Sequence, residues 1–143
     1  MSVKQISVFL ENKAGRLAEA TRVLGDAGIN IRALSIADTA DFGVLRMIVS
    51  DPDRAMEMLK EAGFTVSETG VIAMEVPDKP GGLANVLQLL TSRNVNIEYL
   101  YCFIEKSGES AIVVLRVEDI EAAGQILKAS GVRLPAAEEV YKI

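Results

Sequence analysis

The chain of 143 residues predicts an α+β protein built from two tandem units, each of β-α-β-β-α-β order. Three observations predict it. First, Asn12-Lys13-Ala14-Gly15-Arg16-Leu17 is echoed by Asp78-Lys79-Pro80-Gly81-Gly82-Leu83 at a spacing of 66 residues, and Gly28-Ile29-Asn30-Ile31 by Asn94-Val95-Asn96-Ile97 at the same offset. Second, after two inserted residues the echo resumes at offset 68, where Asp51 answers Asp119, Leu59-Lys60 answers Leu127-Lys128 and Gly63 answers Gly131. Third, each unit alternates strand-like and helix-like periodicity in the same order. A period this long does not suit a stacked solenoid and fits two small fused domains, taken as 1–69 and 70–143.

Val3 to Leu10 alternates with a β-branched bias and predicts a strand. The turn at Glu11 to Gly15 opens a helix in which Leu17, Thr21, Leu24 and Gly28 form one row and Arg16, Glu19, Arg22 and Asp26 the other. Gly28 is a natural carboxyl cap. Asn30 to Ala37 and Val44 to Val49 follow as strands, joined by a polar turn over Asp38 to Gly43. Asp51-Pro52 caps and opens a helix to Ala62, Gly63 ends it, and Phe64 to Val66 starts a fourth strand. The second unit spells strand Val71 to Val76, helix Gly81 to Arg93, a hairpin of Asn96 to Glu105 and Ala111 to Val117 around Lys106-Ser107-Gly108, and helix Asp119 to Ser130. Val132 to Leu134 reads as a short strand, and Pro135 to Glu139 as a turn of helix. Thr65 to Val76 is nearly continuous β-structure. Each unit is the ferredoxin-like split motif, an antiparallel four-stranded sheet with helices on one face.

The formal charge of -5 is shared evenly between the halves, with eight basic and ten acidic residues up to Gly70 and seven and ten after it. Neither half carries the basic footprint of a nucleic-acid binder. No apolar run approaches a bilayer span, and the first residues lack the apolar core of a signal peptide, so no membrane is expected and the cytoplasm is the expected location. The one cysteine, Cys102, lies in an apolar strand and is expected to be a buried spectator. Histidine is absent, which removes the usual general base and the commonest transition-metal ligand. No catalytic residue, metal or cofactor is expected, and the chain is read as a non-enzyme. Met47, Met56, Met58 and Met74 are expected to fill core.

The hairpin of the second unit is apolar on both faces, with Ile97, Tyr99, Tyr101 and Phe103 on one and Leu100, Cys102 and Ile104 on the other. Two helices cover only one face of a sheet. The other face predicts a homodimer, with packing between the repeats as the alternative.

Function is sought in the repeated turn. A helix amino terminus presents backbone N–H groups without intrahelical partners and a partial positive charge, suited to a carboxylate. Gly15 and Gly81-Gly82 leave approach to those donors open. Asn12 or Asp78 supplies an acceptor for an ammonium group, and Asn30 and Asn96 add an amide at the start of the next strand. Together these complement an α-amino acid. The alternative is that Asn12 and Asp78 form turns or caps, Asn30 and Asn96 fit left-handed turns, and the glycines serve packing. Lys13 and Lys79 are expected in solvent, and Arg16 either reaches a ligand or lies on the outer helix face.

These residues resemble the ACT domain, a small ligand-sensing module of amino-acid metabolism. Asp78-Lys79-Pro80-Gly81-Gly82-Leu83 and Val95-Asn96-Ile97 carry the resemblance most fully. In the first repeat Asn12 replaces the usual Asp, which drops a charge, and Ala14 replaces Pro, which loosens the turn. The whole chain resembles stand-alone proteins of two ACT domains. The resemblance implies regulation by a free amino acid held at ACT–ACT interfaces, in association with an enzyme or regulator of amino-acid metabolism. Mapped onto this chain, the contacts are Asn12, Ala14, Gly15, Arg16, Leu17, Asp78, Pro80, Gly81, Gly82 and Leu83. Asn30, Asn96, Ile31 and Ile97 are further contacts. A ligand-free assembly module is the other role such domains fill.

Overall fold

The computed structural model describes residues 2–38, 41–104 and 109–143. These hold six strands and five helices: β1 (Val3–Glu11), α1 (Arg16–Asp26), β2 (Ile31–Asp38), β3 (Phe42–Val49), α2 (Pro52–Glu61), β4 (Thr65–Pro77), α3 (Gly82–Thr91), β5 (Ile97–Cys102), β6 (Ser110–Val117), α4 (Ile120–Ala129) and α5 (Ala137–Tyr141). The chain divides into two compact units, Lys4–Thr69, and Gly70–Ile143 with Met1–Val3. β4 is one strand, as the unbroken β-pattern predicts, and the division falls within it. The strand order is β2-β3-β1-β4 in the first unit and β4-β6-β5 in the second. The expected hairpin turn at Lys106-Ser107-Gly108 lies outside the described residues, as do Thr39 and Ala40 of the other hairpin.

In the first unit, Ile6 pairs with Met47 and Val8 with Leu45, so the two rows of apolar side chains share one face. That face meets α1 and α2 through Ala20, Leu24, Ala55 and Leu59, all fully buried. The second unit repeats this arrangement with Met74, Leu115, Leu90 and Leu127. Met47 and Met74 are fully buried core, and Met56 and Met58 pack against the first core. Among the described residues no helix is long and apolar enough to cross a membrane.

The four main helices end alike. The N–H of Ile29 donates to Leu24 C=O (2.9 Å) and that of Gly28 to Gly25 C=O (3.0 Å), a double closure that satisfies carbonyls the helix leaves open. Phe64 with Gly63, Val95 with Asn94, and Val132 with Gly131 repeat it. The residue before each terminal donor must adopt positive φ. Glycine supplies it three times, and Asn94 (φ 58) once. Asn94, not Asn30 or Asn96, is therefore the asparagine in a left-handed turn; among described non-glycine residues it alone has positive φ. Asn94→Gly is expected to stabilise the protein by about 0.5–1 kcal/mol, because glycine enters that region without a Cβ penalty. A rise of roughly 2 °C in Tm would register it.

Three expectations need correction. Leu17 does not join the inward row of α1: it is 41% exposed, and Ala20 and Leu24 carry the burial. Cys102 is exposed, not buried. Its register, opposite Val113, puts it in a core row, but β5 is an edge strand and the row runs out into solvent there. Finally, Tyr101, Phe103, Ile112 and Val114 are at most 8% exposed in the single chain, so this part of the apolar face is covered without a second copy.

The tail differs in detail from the prediction. Val132 to Leu134 form no strand, yet the N–H of Glu75 donates to Arg133 C=O (3.0 Å), a single rung where a ladder was expected. The Arg133 guanidinium then holds Glu75 (2.9 Å) and both carboxylate oxygens of Glu139 (2.7 Å). These bonds fasten α5 to β4 in place of further strand pairing.

Candidate functional site

Both repeats build the same helix-opening turn. After β1 the N–H of Lys13 folds back on Glu11 C=O (2.8 Å), and after β4 the N–H of Lys79 does so on Pro77 C=O (2.9 Å). Asn12 N–H is anchored on Asp41 C=O (3.0 Å) and Asp78 N–H on Glu109 C=O (3.1 Å). Gly15 (φ 89) and Gly81 (φ 82) then make the left-handed step that launches α1 and α3. A Cβ at either would meet nothing within 4 Å, so it is the backbone conformation, not space, that calls for glycine.

The contrast with the other two helices is instructive. Asp51 caps α2 by accepting from Arg54 N–H (3.2 Å), and Asp119 caps α4 by accepting from Ala122 N–H (3.0 Å). The N-cap positions of α1 and α3 are Gly15 and Gly81, which have no side chain to cap with. Among the described residues no backbone acceptor from outside the helices meets the N–H of Leu17, Ala18, Leu83 or Ala84. Each repeat thus has one helix start capped by an aspartate and one led by a glycine.

The two turns are not equally tight. A Cβ on Gly82 would overlap the carbonyl oxygen of Pro77, so only glycine fits there. The equivalent Arg16 carries a Cβ, and its turn is looser: Arg16 N–H reaches Lys13 C=O at 3.4 Å, against 2.9 Å from Gly82 N–H to Lys79 C=O. Pro80 against Ala14 accords with that difference, since proline fixes φ. Arg16 itself neither reaches outward nor lines the opening. Its guanidinium lies 4.5 Å over the Phe64 ring and pairs with Glu19 at 2.6 Å, and its buried Nε has no hydrogen-bond partner among the described residues.

Beside the first turn lies a hollow of about 250 Å³ lined by Leu10, Glu11, Asn12, Lys13, Leu17, Ile36 and Gly43. Lys13 is well exposed, as expected, and its ammonium holds the Glu11 carboxylate at 2.9 Å. That hydrogen bond, with the attraction of the same charge, keeps the Glu11 carboxyl below its ordinary pKa. Leu17 and Ile36 offer apolar surface, 41% and 48% exposed. Glu11, Ile36 and Gly43 escaped the sequence reading. Gly43 pairs with Leu10 and Ile36 with Leu45, so only the registers of β1, β2 and β3 bring them to the turn.

The structure brings Asn12, Ala14, Gly15 and Leu17 together at one turn, and Asp78, Pro80, Gly81, Gly82 and Leu83 at the other. It does not bring Asn30, Ile31, Asn96 or Ile97 there. These follow the far ends of α1 and α3, about 16 Å away along a helix of 11 residues. Asn30 exchanges bonds with Ser50, its N–H donating to Ser50 Oγ and its C=O accepting from Ser50 N–H, both at 2.9 Å. Asn96 lines an open groove with Asn94, Val95, Glu118, Asp119, Ile120 and Glu121. Ile31 and Ile97 pack against the two cores.

A crystal structure of a protein from Bacteroides thetaiotaomicron is similar over 100% of this chain and 98% of its own, with 46% identity and a TM-score of 0.94. The regulatory subunits of aspartate kinase from Thermus thermophilus and Thermus flavus share the fold. They match at 17% and 18% identity with TM-scores of 0.64 and 0.61, each over 91% of this chain and 93% of theirs. A search of curated protein sequences finds no match. The model of the ACT domain pair matches residues 1–142, and the chain belongs to that family.

Proposed function

We propose that the chain is a non-enzymatic regulatory protein that binds a free amino acid at the glycine-opened starts of α1 and α3. The observation that carries this reading is the contrast between helix starts: α2 and α4 are capped by aspartates, whereas α1 and α3 are led by left-handed glycines without a side chain, the first beside a hollow. Open N–H groups at a helix start attract a carboxylate. The acceptors Asn12 and Asp78 stand in the same turns for the ammonium group.

The protein works in the cytoplasm as a homodimer, and its listener is an enzyme or regulator of amino-acid metabolism. Kinship with the fold of aspartate kinase regulatory subunits supports a role of this kind. A second copy closes the exposed side of the hollow, where Leu17, Leu34 and Ile36 meet solvent. Ligand then stabilises the assembled state by its preference for that state over the open one. Domains 1–69 and 70–143 each contribute one such site.

A thermal-shift panel of the twenty amino acids at millimolar concentration tests this. A ligand at a hundredfold excess over its Kd adds about 2.7 kcal/mol to the native state, a clear rise in Tm. A flat panel from well-folded protein would favour a ligand-free assembly module instead.

A further inference from the structure

Resting on the amino-acid reading above, we infer that the hollow of the first repeat selects an amino acid with an apolar side chain. The distribution of charge around it carries the argument. Among the described residues, Glu11 and Lys13 are the only ionisable ones that line it, and they already hold each other at 2.9 Å. A zwitterionic head group meets both charges and the backbone N–H groups of Leu17 and Ala18 at one edge. Among the described residues no countercharge then remains for an acidic or basic side chain.

Apart from Asn12, placed for the ammonium group, the rest of the lining is apolar. Leu10 is nearly buried, while Leu17 and Ile36 turn 41% and 48% of their surface to solvent. A polar side chain set against these would shed water without gaining a hydrogen bond. Gly43 lines the hollow without a side chain, and a Cβ there would sit in ordinary contact with Ile36 Cδ1, at 3.6 Å. The volume of about 250 Å³ exceeds what a side chain of one or two carbons fills.

The second repeat does not reproduce this lining. Register places Cys102 where Ile36 stands and Ala111 where Gly43 stands, each pair facing the equivalent β-rows. One position loses apolar reach and the other gains a methyl. Pro77 replaces Glu11 and removes the ion pair. The selectivity therefore belongs to the first repeat.

Isothermal titration of the intact protein with leucine, phenylalanine, aspartate, lysine and glycine tests the inference. Leucine or phenylalanine is expected to bind, with aspartate, lysine and glycine weaker by at least tenfold. Ile36→Ala is expected to weaken leucine or phenylalanine binding about tenfold, the scale of a methylene or two in an apolar pocket. Gly43→Leu is expected to abolish it by filling the hollow. Ile36 is half exposed, so its truncation leaves the fold intact, and circular dichroism checks the Gly43 variant. Binding of aspartate or lysine in preference to leucine and phenylalanine overturns the selectivity while amino-acid sensing stands. Binding unchanged by both variants places the ligand elsewhere and also overturns it. No response to any of the twenty removes the sensing reading and this inference together.

Discussion

Gly82→Ala is expected to lower stability by about 3 kcal/mol, the upper range for overpacking. A single methyl group there would overlap the carbonyl oxygen of Pro77. That atom is backbone and is held in place because the same oxygen accepts from Lys79 N–H at 2.9 Å. The turn must open or the start of α3 must shift, and either breaks the bond from Gly82 N–H to Lys79 C=O. Thermal unfolding should show a fall in Tm of more than about 6 °C. Arg16→Ala at the equivalent position of the first repeat provides the control. It forfeits the contact with Phe64, worth about 0.5–1 kcal/mol, and spares the turn. Equal losses from the two variants would show that the turns are equally tight, against the 2.9 and 3.4 Å bonds that distinguish them.

Leu24→Ala is the second change with a large expected effect, about 2–5 kcal/mol. Leu24 is fully buried against Ile6, Leu45 and the rest of the first core, and its carbonyl accepts the bond from Ile29 that closes α1. The backbone bond survives truncation, so the loss comes from the cavity and the lost apolar burial. Hydrogen exchange should quicken chiefly within Lys4–Thr69, since Leu90 occupies the equivalent place in a separate core. A uniform quickening along the whole chain would show one cooperative block and would sink the division into two domains at 69/70.

The two turns and four main helices were legible because their signals are local. Gly15, Gly28, Gly63, Gly81 and Gly131 are the described glycines with positive φ, and Asp51 caps as its position before a helix predicts, with Asp119, its partner in the echo, doing the same. The unbroken pattern from Thr65 to Val76 likewise foretold β4. What escaped depends on register or on length. Ile36 and Gly43 reach the first turn only through strand pairing, and sequence spacing does not fix which residue of β3 faces Leu10. Asn30 and Asn96 follow the repeated turn closely in sequence, yet a whole helix of rise intervenes. Arg16 reads as a solvent residue by helical period alone; the aromatic ring that holds it belongs to Phe64, forty-eight positions later. Cys102 and Leu17 were misplaced for one reason: periodicity identifies a row of side chains, not where that row leaves the shelter of its neighbours.

The exposed Cys102 gives experimenters a foothold that needs no mutagenesis. It is the one thiol in the sequence and stands in the row that Ile36 occupies in the first repeat. A maleimide dye coupled to the unaltered chain would report from the second repeat and leave the first unlabelled. Titrating such a conjugate while following its fluorescence would let the two halves of the molecule be heard separately in a single cuvette.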